Sequence, residues 1–302
     1  MTTISFPFRN GLFLALSFVV LTFFSCTSTQ HDSENTDEND DENTAEVIDF
    51  NNEENIIYSV PTPLEIAVAI KNAGVPFNRE VLHNTDKAAS YISSSEKALN
   101  LGIYSVDLSF ASLYEQPQLA TDYIATAKQL ADDLGITNDV DKDIIEKFEA
   151  NINDREYILN LISELLMNAI ANLSNEQKVT GAHIMAGGWI EGLYVLTQFV
   201  DATGNNTELL VERVAEQKLT LGTLISFLKQ LKDENVADLL EKLTELQAIY
   251  AKIEISNTEL IPVIDTLTNE TILESDTKIS VSLDVLNEIC IKVKNIRNSY
   301  TQ

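Results

Sequence analysis

The sequence predicts an all-α protein, with a single domain of roughly nine to eleven packed helices in a bundle or irregular helical array. Three observations predict it. Between residues 56 and 302 apolar side chains recur at steps of three and four. Helix start and stop residues bracket those stripes. No Pro/Gly/Ser-rich linker interrupts the same span. At most one short extended segment is expected, near 268–282.

In chain order, residues 1–25 come first and have the layout of a secretory signal peptide. Arg9 is their only charged residue, and Leu12 to Phe24 is nearly unbroken apolar sequence. That run is shorter than the roughly 20 residues a membrane-crossing helix needs. It ends in Phe23-Phe24-Ser25-Cys26, which resembles a bacterial lipobox. The resemblance implies that Cys26 is lipidated and becomes the new N-terminus. The plainer reading is a cysteine that ends a conventional signal.

Residues 26–55 read as an acidic tether. Eleven Asp and Glu residues lie between Thr27 and Asn55 with no Lys or Arg among them. Such a segment buries too little apolar surface to offset its chain entropy, so it is expected to be disordered and self-repelling. An acidic run soon after a lipidated cysteine resembles the signal that sends Bacteroidetes lipoproteins to the cell surface. A solvated spacer with no sorting role remains the alternative.

The helices follow. Thr62-Pro63-Leu64-Glu65 has capping-box form with proline at the first helical position, and Gly74 stands where that helix would stop. Leu119, Tyr123, Ala127, Leu130 and Leu134 form a stripe closed by Gly135. Apolar pairs repeat every four residues from Tyr157 towards Leu173. Val236, Leu239, Leu240, Leu243, Leu246, Tyr250 and Ile253 form another stripe, and Leu283, Leu286, Ile289, Cys290, Val293, Ile296 and Tyr300 form the last. Cys290 lies inside that stripe and reads as packing rather than nucleophile. Thr277–Ser282 alternates polar and β-branched residues, as an edge strand would. Gly102 to Gly135 and Gly188 to Gly222 are nearly equal intervals that two copies of a helical hairpin would produce.

Composition excludes several functions. The 302 residues carry 47 Asp+Glu against 20 Lys+Arg, a formal charge of −27, which argues against a nucleic-acid partner. Two cysteines and three histidines leave little for a disulfide framework or a metal centre, and neither metal nor cofactor is expected. Phosphate loops, CxxC pairs, HExxH and GxSxG are missing from the sequence. Asp139-Val140-Asp141-Lys142-Asp143 mimics the start of a calcium loop, but Ile144 and Ala150 replace the required Gly and Glu. A helix N-cap is the better reading of Asp139 or Asp141.

Two apolar helices carry a carboxylate where none is expected. Tyr104 and Asp107 stand at i, i+3 in Gly102–Ala111, and Glu191 follows the only tryptophan, Trp189, in Gly187–Tyr194. An ionised carboxylate is costly to bury unless paired or hydrogen-bonded. Tyr104, Asp107, Trp189 and Glu191 therefore form either an internal polar network or the lining of a ligand pocket. Both helices are apolar on all sides and are expected to cross near the domain centre, with Gly188 and Gly192 permitting close approach.

The stretches 58–66, 98–104 and 186–194, which carry Pro61-Thr62-Pro63, Leu101-Gly102-Ile103-Tyr104 and Gly187-Gly188-Trp189-Ile190-Glu191-Gly192, resemble those of uncharacterised all-helical lipoproteins of Bacteroidetes. The resemblance implies no activity and marks no catalytic residue. Two functional classes follow. One is a non-enzymatic, lipid-anchored cell-envelope protein of the outer membrane that binds another protein or a small molecule. The other is a glycan- or peptide-acting hydrolase or lyase using Asp107 or Glu191 as general acid/base. A core closed around the two carboxylates favours the first, and an open cleft the second.

Overall fold

A computed structural model of the chain describes residues 3–7, 63–136, 144–152, 154, 156–162, 164, 177–200, 207–257, 261–265, 270–274 and 277–302. Cys26 with the residues expected to form a lipobox, the acid-rich segment expected to be a tether, the Asp139–Asp143 segment and the end of the 157–173 stripe lie outside the described residues.

The class is all-α. Its helices are α1 (Pro63–Asn72), α2 (Ser94–Leu113), α3 (Pro117–Asp133), α4 (Ile144–Ala150), α5 (Lys178–Gln198), α6 (Thr207–Leu231), α7 (Ala237–Tyr250) and α8 (Leu283–Tyr300). Residues 156–162 are also helical. Short 3-10 turns at Arg79–Val81 and Thr85–Ser90 carry the chain from α1 to α2.

Local chemistry explains the boundaries. Pro63 opens α1 and Gly74 follows its end at φ 73°, while Gly135 follows α3 at φ 66°. Ser93 and Glu96 close a reciprocal capping box at the start of α2. At its far end Glu115 adopts φ 56°, the left-handed conformation glycine usually supplies. The Lys71 ammonium donates to the Leu113 carbonyl at 2.6 Å, capping the same end. Gly222 lies inside α6 rather than at a helix end, so the second of the two equal glycine intervals marks no hairpin boundary.

The sequence expected at most one extended segment near 268–282. The structure places a strand at Thr277–Ser282 and gives it company. With β1 Thr3–Pro7, β2 Glu254–Asn257, β3 Ile261–Asp265, β4 Glu270–Glu274 and β5 Thr277–Ser282, a small antiparallel sheet has the order β1-β5-β2, and β3 pairs with β4 as a hairpin. Runs of four to six residues, rich in β-branched side chains, are too short to stand out by periodicity alone. Ile279 and Val281 of β5 turn into the core.

α2 and α5 form the centre. Every residue from Ala98 to Ala111 and from Gly181 to Thr197 is buried, as expected of helices apolar on every side. α3, α1 and α8 pack around this pair, and α6 and α7 extend the core from α5 towards α8. Two glycines set the central spacing. A Cβ on Gly102 would lie 2.0 Å from the Ile184 carbonyl oxygen, and one on Gly187 would lie 2.0 Å from that of Leu99. Gly188 sits beside them with more room, its Cβ position 3.5 Å from Gly102 O. Gly192, which the sequence assigned to the same crossing, instead meets the Ile66 side chain of α1. A repeat of one turn identifies neighbours on a helix but not which partner they face. Among the described residues no helix is long and apolar enough to cross a membrane.

Candidate functional site: a sealed carboxyl pair

Asp107 on α2 and Glu191 on α5 are both fully buried, at 0 % exposure. They sit on the two central helices, close enough for each carboxyl to act on the ionisation of the other. Tyr104, one turn before Asp107, is buried beside them. The structure thus brings three of the four singled-out residues together. Trp189 takes another direction: its indole N–H donates to Gln217 Oε1 at 3.1 Å, which ties α5 to α6.

Glu191 is paired by Arg297 of α8. The guanidinium donates from Nε to Oε2 at 2.8 Å and from Nη2 to Oε1 at 3.0 Å, the bidentate geometry that suits a carboxylate. Arg297 also lies over the Tyr194 ring, 4.5 Å from its centroid. Burial works against the guanidinium's charge, but the Glu191 carboxylate outweighs it and holds the group protonated. Sequence reading passed over Arg297. A signal was there, because it follows Ile296 as Cys290 follows Ile289 and so stands on the flank of the apolar stripe.

Asp107 has a different task. Its Oδ2 accepts the His83 backbone N–H at 2.9 Å. Tyr123 of α3 donates its hydroxyl to the His83 carbonyl at 2.7 Å, and Tyr104 donates to the Asn84 carbonyl at 2.9 Å. A connecting segment that enters the core must have its backbone groups satisfied there. These three side chains do that for the Val81–Asn84 segment, whose first three residues are buried. The His83 ring stacks on Tyr104 with centroids 5.2 Å apart, and its Nε2 is 2.6 Å from the Tyr91 hydroxyl.

The electrostatics follow from burial. Loss of solvation pushes His83 down to about 3, helped by the positive charges of Arg297, Lys87 and Arg79, so the ring is neutral. Burial pushes Tyr91 up to about 12 and raises Tyr104, Tyr123 and Tyr194. Asp107 is raised well above the usual carboxylate range, first by burial and then by the charge of Glu191. Glu191 is raised by burial and pulled back by Arg297.

Chemically, the arrangement holds elements together. It joins α2, α5, α8 and the 79–91 connection through one buried polar network. No substrate can reach Asp107 or Glu191 as they stand. A cavity of about 300 Å³ lies elsewhere, at the turn between α2 and α3, and is lined by Ser112, Glu115, Gln116, Pro117, Phe148 and Ile158 among others. Among the described residues no cluster of three His, Cys, Asp or Glu side chains can hold a metal ion. Cys290 is half-buried on the flank of α8 rather than fully inside, and burial raises its thiol, which leaves little reactive thiolate.

Comparison with protein-family models, curated proteins and solved structures found no match to this chain.

Proposed function

We propose that the chain is a lipid-anchored protein of the bacterial outer membrane, whose acidic helical domain serves as a non-enzymatic binding or interaction module joined to the anchor by an acidic segment. The observation that carries the reading is the order of the first 55 residues: one basic residue, an apolar run, Ser25-Cys26, then an acid-only stretch. The closed core supports the second half of the reading. The carboxylates best placed by sequence for acid/base work are committed to Arg297 and to a buried backbone N–H, so these two lend no support to the hydrolase or lyase reading. The partner is a protein or small molecule met at the surface, where the acid excess favours cationic groups over nucleic acid.

Maturation at Cys26 would remove residues 3–7 and with them β1, leaving β5 paired with β2. The pairing that β1 makes is with β5, at the edge of the sheet. The test is to express the full chain and its Cys26→Ala variant in a lipoprotein-processing host with a clickable fatty-acid label. Labelling and membrane fractionation that both vanish in the variant support the anchor. A variant that stays membrane-bound refutes it. Protease treatment of intact cells then separates surface display from a periplasmic face.

A further inference from the structure

Three ionisable side chains meet at the centre of the fold, two acids and one base. Asp107 and Glu191 are 0 % exposed and Arg297 is 8 % exposed. Arg297 spends both of its directed hydrogen bonds on Glu191, at 2.8 and 3.0 Å. Asp107 receives one backbone N–H on Oδ2, while its Oδ1 is sealed from solvent and reached by no donor. With both acids ionised, the cluster would hold a net negative charge in a medium that solvates it poorly, and Oδ1 would be a bare anionic oxygen beside a second carboxylate.

The groups that face the cluster from each packed element do not supply the missing charge. The 79–91 connection contributes a neutral His83 and the Tyr91 hydroxyl, with Arg79 and Lys87 at its outer edge. α2 contributes Tyr104, which donates away to Asn84. α3 contributes Tyr123, which donates away to His83. α5 contributes Tyr194, which lies under Arg297. A proton removes both defects at once, because it neutralises the cluster and turns Oδ1 into a donor.

We propose that Asp107 carries a proton on Oδ1 in the folded protein at neutral pH and donates it to the Glu191 carboxylate. The cluster is then a neutral, proton-bound lock joining α2, α5 and α8. Folding takes up this proton from solvent, since an unfolded aspartate is ionised above about pH 4. Two carboxyls this close share their proton, and the geometry seats it on Asp107 because Glu191 is the one paired by Arg297. Burial and the Glu191 charge, which raise Asp107, act in the same direction.

The sign follows from linkage. A group whose folded pKa is raised contributes stability that is present at low pH and is lost as pH climbs through the folded value. His83 and His183, both lowered by burial, contribute a slope of opposite sign around pH 6.5, their ordinary value, that fades as the pH rises through the next unit. Between about pH 7 and 8 this one proton should lower the folding equilibrium constant of the full chain by up to tenfold per pH unit.

The experiment combines two readouts on the full chain. Infrared spectroscopy at pH 7 should show the carbonyl stretch of one protonated carboxylic acid, absent from Asp107→Asn. Urea melts across about pH 7–8 should show the slope in the wild type and its loss in Asp107→Asn, whose amide mimics the neutral acid. A wild type with no protonated-acid band overturns the proposal, and that measurement stands even if the variant does not fold. A folded Asp107→Asn variant that keeps the wild-type slope overturns it as well.

Discussion

Adding one methyl group at Gly102 or Gly187 tests whether backbone contact sets the central crossing. In Gly102→Ala the new Cβ starts 2.0 Å from Ile184 O and 2.6 Å from Gly188 N, both backbone atoms. In Gly187→Ala it starts 2.0 Å from Leu99 O. Real Cβ atoms stay beyond 3.0 Å, so α2 and α5 must part by about 1 Å along these contacts, and neither has a side chain that can swing aside. Overpacking of this kind costs about 1–3 kcal/mol or more, and helix propensity returns about 1 kcal/mol for Gly→Ala. The upper end applies where backbone meets backbone, which leaves a net loss of about 2 kcal/mol, or about 4–8 °C in Tm for a domain of this size. Two internal controls separate the clash from any general effect. At Gly188 the added Cβ would lie 3.5 Å from Gly102 O, and at Gly222 it would lie 3.9 Å from Gln247 Nε2, both ordinary contacts. Gly188→Ala and Gly222→Ala should hold the Tm or raise it by up to about 2–4 °C, the worth of about 1 kcal/mol of helix propensity. Thermal melts by far-UV circular dichroism on all four variants measure this. If Gly102→Ala and Gly187→Ala melt at or above the wild type, the two helices are not held at backbone contact and the central crossing is wrong.

Three further expectations rest on separate observations. Tyr123→Phe removes the donor to the buried His83 carbonyl and should cost about 1–3 kcal/mol in urea unfolding; an unchanged midpoint would mean that water or another group satisfies that carbonyl. Glu115→Gly relieves a left-handed glutamate at the end of α2 and should gain about 0.5–1 kcal/mol, read as a rise in Tm. A chain beginning at Ile56 should melt within a degree or two of the full chain, because the acidic tether has no apolar periodicity and β1 adds only sheet-edge pairing; a fall of several degrees would make the first 55 residues part of the fold.

The sequence by itself determined the fold class and several helix limits, because both rest on local chemistry. Gly74 and Gly135 stop helices wherever they stand in space, and Pro63 opens α1 for the same local reason. It also determined that Asp107 and Glu191 are unusual, since a carboxylate in a helix apolar on all sides must be buried. What each acid meets was decided by tertiary structure. Glu191 found Arg297, a hundred residues away on the last helix, and Asp107 found a backbone N–H on a connection whose sequence carries no periodic signal. Trp189, two residues from Glu191, was turned to Gln217 by the helical rotation between them. The glycines divide the same way. Local spacing marks 187, 188 and 192 as small, but only the packed helices show that 102 and 187 touch backbone while 192 meets the end of Ile66. Periodicity is a one-dimensional quantity that reports which residues face inward. The identity of the partner across the core depends on how helices far apart in sequence are brought together, and no local pattern records it.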